Sequence, residues 1–187
     1  NFEGIRLGAT ASSTTVSANV IGLAADGSTV LGNAAGGVAI YSANNTIGGT
    51  TAGARNIISG NASGVIVSGA IVGNYIGTDS TGLLDRGNTA DGVLIEAGAS
   101  SNTLGGSTAG HRNIISGNNQ DGVQVDGETS DNNTVRGNWI GINAAGTATL
   151  GNSGDGVYIS SGADGTNVGG STAAEGNWIA AGLEGVE

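Results

Sequence analysis

The chain has 187 residues, with 38 Gly, no Pro, no Cys, no Met, 3% aromatic residues and a formal charge of −10. Gly at this level without Pro or a Gly-x-y period excludes a collagen-like triple helix, and regularly placed Val and Ile exclude a solvated disordered chain. Without Cys there is no disulfide framework and no thiol catalysis, and the acidic balance weighs against nucleic acid and anionic membrane surfaces as partners.

A Gly-apolar-x-apolar tetrad recurs through the chain, at Gly4 (GIRL), Gly37 (GVAI), Gly64 (GVIV), Gly92 (GVLI), Gly122 (GVQV) and Gly156 (GVYI), and begins again at Gly185. The second and fourth residues stay apolar while the third varies through Arg6, Ala39, Ile66, Leu94, Gln124 and Tyr158. That is the period-2 pattern of a strand with one buried face. Each tetrad is followed by a second short strand, read as Thr15-Val16, Thr46-Ile47, Ile71-Val72, Thr103-Leu104, Thr134-Val135 and Asn167-Val168. A third reads Asn-x-Ile at Asn19/Ile21, Asn56/Ile58, Asn74/Ile76, Asn113/Ile115, Asn138/Ile140 and Asn177/Ile179. Gly-Asn precedes five restarts, at Asn33, Asn61, Asn88, Asn118 and Asn152.

Three short strands per repeat cannot hide their own apolar faces and must stack on copies of themselves. The prediction is an all-β, right-handed parallel β-helix of about six coils with three short strands each, a rod roughly 29 Å long at about 4.8 Å per coil. Loops precede the third strand in the coils from Gly37, Gly92 and Gly156 and follow it in those from Gly4, Gly64 and Gly122. The single domain is thus three two-coil repeats, 4–63, 64–121 and 122–184. Buried Asn must be hydrogen-bonded, so one Asn per coil predicts amide ladders.

NTIGGTTAGARNIISGN (45–61), NTLGGSTAGHRNIISGN (102–118) and GNYIGTDSTG (73–82) resemble the parallel β-helix repeats of large bacterial secreted and surface proteins, within the pectate-lyase-like superfold. The resemblance covers essentially the whole chain and implies the fold and an extracellular or cell-surface setting. It leaves activity open, because the same superfold carries lyases, hydrolases, tailspikes and non-catalytic stalks.

Candidate sites lie among the outward positions. Val20, Ile57, Tyr75, Ile114, Trp139 and Trp178 make a stripe on the third strand. Its aromatic members Tyr75, Trp139 and Trp178 can bind a sugar or a neighbouring molecule, unless the alternating loops fold over them into a satellite core. Glu96 and Asp126 fall in adjacent coils with backbones about 5 Å apart, a carboxylate pair suited to glycoside hydrolysis or Ca²⁺. The proton-accepting base and acidic metal cluster of a lyase are missing around them. Asp91, Asp121 and Asp155 occupy one place before three restarts, and offer either a cation site or turn chemistry beside Gly. Thr15, Thr46, Thr103 and Thr134 form a row broken at Ile71 and Asn167. His111 and the arginines Arg55 and Arg112 read as loop residues, the arginines bonding local carbonyls. No apolar run of about eighteen residues could cross a membrane. The chain opens Asn-Phe-Glu, which suggests a mature or excised piece.

The expected function is a non-catalytic extracellular structural module (stalk, fibre or surface-layer element) associating with itself end to end or laterally, without a required cofactor and with Ca²⁺ as the one candidate bound ion. The alternatives are a fragment of a polysaccharide lyase or hydrolase and a glycan-binding tailspike-like module.

Overall fold

The protein was analysed as a computed structural model that describes residues 1–180 and 182–187. Eighteen short strands form three parallel sheets of six, and each strand pairs with its counterparts in the preceding and following coils. Sheet A contains Ile5–Leu7, Gly36–Ile40, Ser63–Ile66, Val93–Ile95, Val123–Asp126 and Val157–Ser160. Sheet B contains Thr15–Val16, Asn45–Gly48, Gly69–Val72, Thr103–Gly105, Thr134–Arg136 and Asn167–Val168. Sheet C contains Val20–Ile21, Ile57–Ile58, Tyr75–Ile76, Ile114–Ile115, Trp139–Ile140 and Trp178–Ile179. The chain is a parallel β-helix of six coils, built as the repeat spacing predicts.

The apolar pairs of the tetrads are the core. Ile5, Val38, Val65, Val93, Val123 and Val157 stand in register along sheet A. The stack is driest in its middle, where Val65, Val93, Val123, Ile76, Ile115 and Ile140 are fully enclosed. Burying a side chain of this kind stabilises by about 1.5–3 kcal/mol, and no single coil could bury them alone.

Packing also explains why the tetrad opens with Gly. The first residue of sheet A abuts the Ile of sheet C within the same coil: a Cβ on Gly37 would lie 2.5 Å from Ile58 Cγ2, and one on Gly92 2.6 Å from Ile115 Cγ2. A second Gly is set by conformation. Gly48 and Gly105 end their sheet B strands at φ of 92° and 88°, and a Cβ on either would sit 2.0 Å from a carbonyl oxygen of the next coil. A side chain is excluded there twice over.

Two amide ladders run where the sequence predicts them. From Asn19 through Asn56, Asn74, Asn113 and Asn138 to Asn177, each Nδ2 donates to the Oδ1 of the next Asn at 2.9–3.2 Å. The same Oδ1 also accepts the backbone N–H of the preceding Asn. The Nδ2 of Asn113 donates in addition to Ile71 O, at 2.9 Å. Every side-chain polar atom of the four buried members, Asn56, Asn74, Asn113 and Asn138, is engaged, which is what burial demands. The second ladder links Asn33, Asn61, Asn88, Asn118 and Asn152 in the same manner.

One register differs from the sequence reading. Ala70, not Ile71, pairs with Thr46 and Thr103, and Ile71 aligns inward with Ile47 and Leu104. The outward row is therefore Thr15, Thr46, Ala70, Thr103, Thr134 and Asn167. Ile71 and Val72 are both apolar, so the sequence pattern fits either assignment, and pairing with coils 2 and 4 selects Ala70 as the outward residue. A one-residue shift exchanges the two faces of a strand, and the burial of Ile71 decides the matter.

The alternating loops become two ribs flanking sheet C. In coils 2, 4 and 6 a single 3₁₀ turn precedes sheet C, at Ala52–Ala54, Ala109–His111 and Ala173–Glu175. In coils 1, 3 and 5 a hairpin-like excursion follows it, closed by the antiparallel bridges Leu23↔Val30, Thr78↔Asp85 and Ile142↔Thr149. The excursions reach one another across the intervening coils: Ser80 N donates to Gly27 O and Ala144 N to Gly82 O, both at 2.9 Å.

Candidate functional site

The aromatic stripe on sheet C lies where parity puts it, with Tyr75, Ile114, Trp139 and Trp178 in one row. Most of it is roofed. Ile57 and Ile114 are buried, in coils 2 and 4, where successive excursions meet. The Arg55 guanidinium lies 3.9 Å from the centre of the Tyr75 ring, and that of Arg112 lies 4.2 Å from the Trp139 ring. Gly82 packs against the Tyr75 ring and Gly146 against Trp139, each so close that a Cβ would collide. Trp139 and Trp178 stack at 5.2 Å between centroids, 17° from parallel. Trp178 remains 57% exposed. Of the three expected sugar-stacking residues, Tyr75 and Trp139 have ring faces already occupied, and Trp178 presents the open one. Recurrence of the arginines before the third strand predicts bonds to local carbonyls or loop oxygens. Arg55 makes such a bond, through Nε to Gly73 O at 3.2 Å, but the stacking of both arginines on rings had no signal in the sequence beyond that recurrence.

The Glu96 and Asp126 pair separates into two environments. Asp126 accepts a hydrogen bond from Ser160 Oγ at 2.8 Å, and hydrogen bonds from Ser161 and Ser160 hold its carboxyl below the usual range. Glu96 is exposed and lines a different feature, described below. A carboxyl held below its ordinary pKa is poorly suited to act as a general acid.

Asp91, Asp121 and Asp155 do form a column. Asp91 Oδ1 accepts the N–H of Asp121 at 3.0 Å, Asp121 Oδ1 that of Asp155 at 2.7 Å, and Asp155 Oδ1 that of Glu184 at 2.9 Å. Burial is the main cause raising the Asp91 and Asp121 carboxyls above the ordinary value, opposed by these amide bonds and reinforced by the neighbouring charge. One oxygen of each is thus bound to backbone. Among the described residues no group of three or more His, Cys, Asp or Glu side chains is placed to hold a metal ion. His111 is half-buried, with Nδ1 2.7 Å from Thr108 Oγ1.

The feature the sequence reading missed is the corner between sheets A and B. A third ladder begins there with Asn102 and Asn133, joined at 2.9 Å, and Asn45, which accepts Thr14 N–H at 3.0 Å. In coil 3 its place is taken by Gly69, in register with Asn45. Gly69 N–H donates to Asn102 Oδ1, but Gly69 has no side-chain amide to pass the ladder on to Asn45. Asn45 instead turns its Nδ2 to Ser42 O at 2.9 Å. The signal was available as turn length: eight residues lie between Ile95 and Leu104 along the chain, and three between Val67 and Ile71. Two hollows open at this gap. One of about 290 Å³ is lined by Tyr41, Ser68 and Glu96 among others. The other, of about 480 Å³, lies on the sheet B side, against Asn44, Thr46 and Ser101.

Comparison with known proteins places no relative beside these features: no family model, no curated protein and no solved structure matches the chain.

Proposed function

We propose that the chain is a non-catalytic structural rod module of an extracellular or surface protein. The observation that carries this reading is the unbroken sheet C ladder, in which all six coils share one chain of amide hydrogen bonds. Such a ladder makes each coil depend on its neighbours and resists shear between them, which suits a spacer or stalk. The loops join in: the excursions bond across two coils instead of reaching outward. Setting and location rest on the resemblance of the repeats to those of secreted and surface β-helices. Self-association fits the same geometry, because beyond the sixth sheet A strand Val186 bridges Val157 in parallel, and a coil of like pattern can pair in that way.

Duplicating residues 64–121 in tandem tests the modular rod. The expected product is a single cooperative unit, longer by two coils, or about 10 Å, in small-angle scattering. Aggregation, or a second independent unfolding transition, would overturn the reading. Sedimentation across a concentration series tests self-association, and a sedimentation coefficient that does not change with concentration would remove that part.

A further inference from the structure

The turn between sheets A and B is shortest in the third coil, with three residues between the inward Val67 and Ile71, against six in coil 2 and eight in coil 4. There the chain passes directly from Val67 and Ser68 into the sheet B strand Gly69–Val72. The turns of coils 2 and 4 still project on either side. The slot between them has the thickness of one absent coil layer, about 4.8 Å. A single ring can enter such a slot.

Its two walls differ in chemistry. On the coil 2 side stands Tyr41, 45% exposed. The ring is fixed by neighbours: its hydroxyl donates to Glu3 Oε1 at 3.0 Å, and the Arg6 guanidinium lies 4.9 Å from its centre. On the coil 4 side stands Glu96, next to Ala97 and Gly98. Both residues line the one hollow. The Tyr41 phenol is raised above its ordinary pKa by its bond to Glu3, then by burial and the charge of Glu3, with Arg6 opposing and Glu96 adding weakly. The floor and the adjoining hollow add hydroxyls, from Ser68 and, over sheet B, from Thr46, Ser101 and Thr103. Among the residues lining both hollows, Glu96 is the one charged side chain.

We propose that this slot binds one ring of an uncharged or amino sugar, with the Tyr41 ring against the sugar's C–H face and Glu96 accepting hydrogen bonds from its hydroxyl or ammonium groups. An aromatic face, a lone carboxylate and the hydroxyls of Ser42 and Ser68 are the groups such a ligand uses. At about 290 Å³ the hollow lies at the small end of ligand pockets, which run from about 300 Å³, and it takes a single ring. The Glu96 carboxylate repels uronic acids, and the Arg6 guanidinium beside Tyr41 is already paired with Glu3 at 3.5 Å, so uncharged and amino sugars are the preferred class. This site is independent of the rod reading and of the sheet C aromatic stripe.

The test is calorimetric titration of the chain with three probes: the tetramers of N-acetylglucosamine, glucosamine and galacturonic acid. Binding is expected for at least one of the first two, with galacturonate weaker by about tenfold or more. Tyr41→Ala and Glu96→Gln should each weaken binding roughly fivefold or more. Inserting the sequence of residues 97–101 between Ser68 and Gly69 refills the missing layer. It should abolish binding while leaving cooperative unfolding intact. No binding by any probe at millimolar concentration, tightest binding of galacturonate, or binding that survives the insertion in a folded chain overturns the proposal. Should the insertion disturb folding, Tyr41→Ala decides alone, because an unchanged affinity with this exposed ring removed has the same force.

Discussion

Two corners of the same coil behave differently. At the entrance to sheet C an Asn stands in all six coils, each bonded to the next, and the strand that follows is Asn-x-Ile every time. At the entrance to sheet B the equivalent residues are Thr14, Asn45, Gly69, Asn102, Asn133 and Thr166, and side-chain bonding from Asn to Asn survives only between Asn102 and Asn133. Turn length varies at both corners: a 3₁₀ turn is inserted before sheet C in alternate coils, and the turn before sheet B is cut short in coil 3. At sheet C every coil keeps its Asn and the ladder carries through the insertions, whereas at sheet B the Asn is lost with the shortened turn and the hollows open. The two corners therefore differ in whether the ladder survives a change of turn length.

The harshest way to break this contrast is to bury a charge at each corner. Ile115, next to the continuous ladder, is fully enclosed. Ile115→Asp should prevent the stack from forming, because a carboxylate there has neither water nor partner. Ala99 is also buried, but it lines the hollow at the broken corner. Ala99→Asp should leave a folded chain, with a loss of roughly 1–3 kcal/mol. Circular dichroism melts of the two variants check this, and similar melting temperatures would mean that the corners do not differ in tolerance.

A gentler version removes one amide. Asn113→Leu leaves Asn74 N–H, held at 2.9 Å, without its acceptor and Ile71 O without its donor. At about 1–3 kcal/mol for each stranded group, a loss of roughly 2–5 kcal/mol is expected. Asn45→Leu strands Thr14 N–H, which is only partly buried, while the Asn45 Nδ2 bonds are local. Its cost should be about 1–2 kcal/mol. Urea titrations measure both, and equal losses would show that ladder continuity carries no extra stability.

The sequence showed these two corners with unequal clarity, for physical reasons. A residue that must satisfy a fixed hydrogen-bond pattern in every coil, such as Asn74 or Asn113, leaves a period that can be read directly. So does a Gly such as Gly92, whose missing Cβ makes room for Ile115. The sheet B strand of coil 3 was misread by one residue because both Ile71 and Val72 are apolar, and a two-residue strand holds too little pattern to fix its face. The hollow at Tyr41 and Glu96 has no motif at all. It comes from residues that are missing, and its walls lie in different coils. The covering of Tyr75 and Trp139 was legible only as an alternative to exposure, since parity gives the direction of a side chain and not what lies above it.

A third column tests whether hydrogen-bonded stacking tolerates charge. Asp91 and Asp121 are raised above the ordinary carboxylate value of 3.8, chiefly by burial. A group with a raised folded-state value destabilises the fold above that value, where it is charged. The penalty is relieved as pH falls toward 3.8. Asp79 and Asp126 run the other way, their lowered values giving stability that is present above 3.8 and lost as pH falls through the lowered values. Stability should therefore rise from neutral pH into the weakly acid range before it falls. Asp121→Asn keeps an oxygen for the N–H of Asp155, now 2.7 Å away, and removes the charge. It should raise the melting temperature at pH 7 and reduce the gain on acidification. A lower melting temperature at pH 7 would indicate that the charge is needed where it stands.

The smallest effect is expected at the roof of the aromatic stripe, and it separates two arginines that look alike in sequence. Arg55 both stacks on Tyr75 and donates from Nε to Gly73 O. Arg112 stacks on Trp139, but its Nε is buried without a hydrogen-bond partner. Removing Arg112 therefore takes away the ring contact and also relieves a polar atom that gains nothing from burial. Arg112→Ala should cost about 0.5–1 kcal/mol, and Arg55→Ala more, by about 0.5–1.5 kcal/mol for the hydrogen bond. Arg112→Ala should also shift tryptophan emission to the red and make it more readily quenched by acrylamide, because the covered face of Trp139 becomes open like that of Trp178. Unchanged emission would mean that Gly146 and the stacked Trp178 already exclude water from Trp139, with Arg112 resting on a surface closed without it.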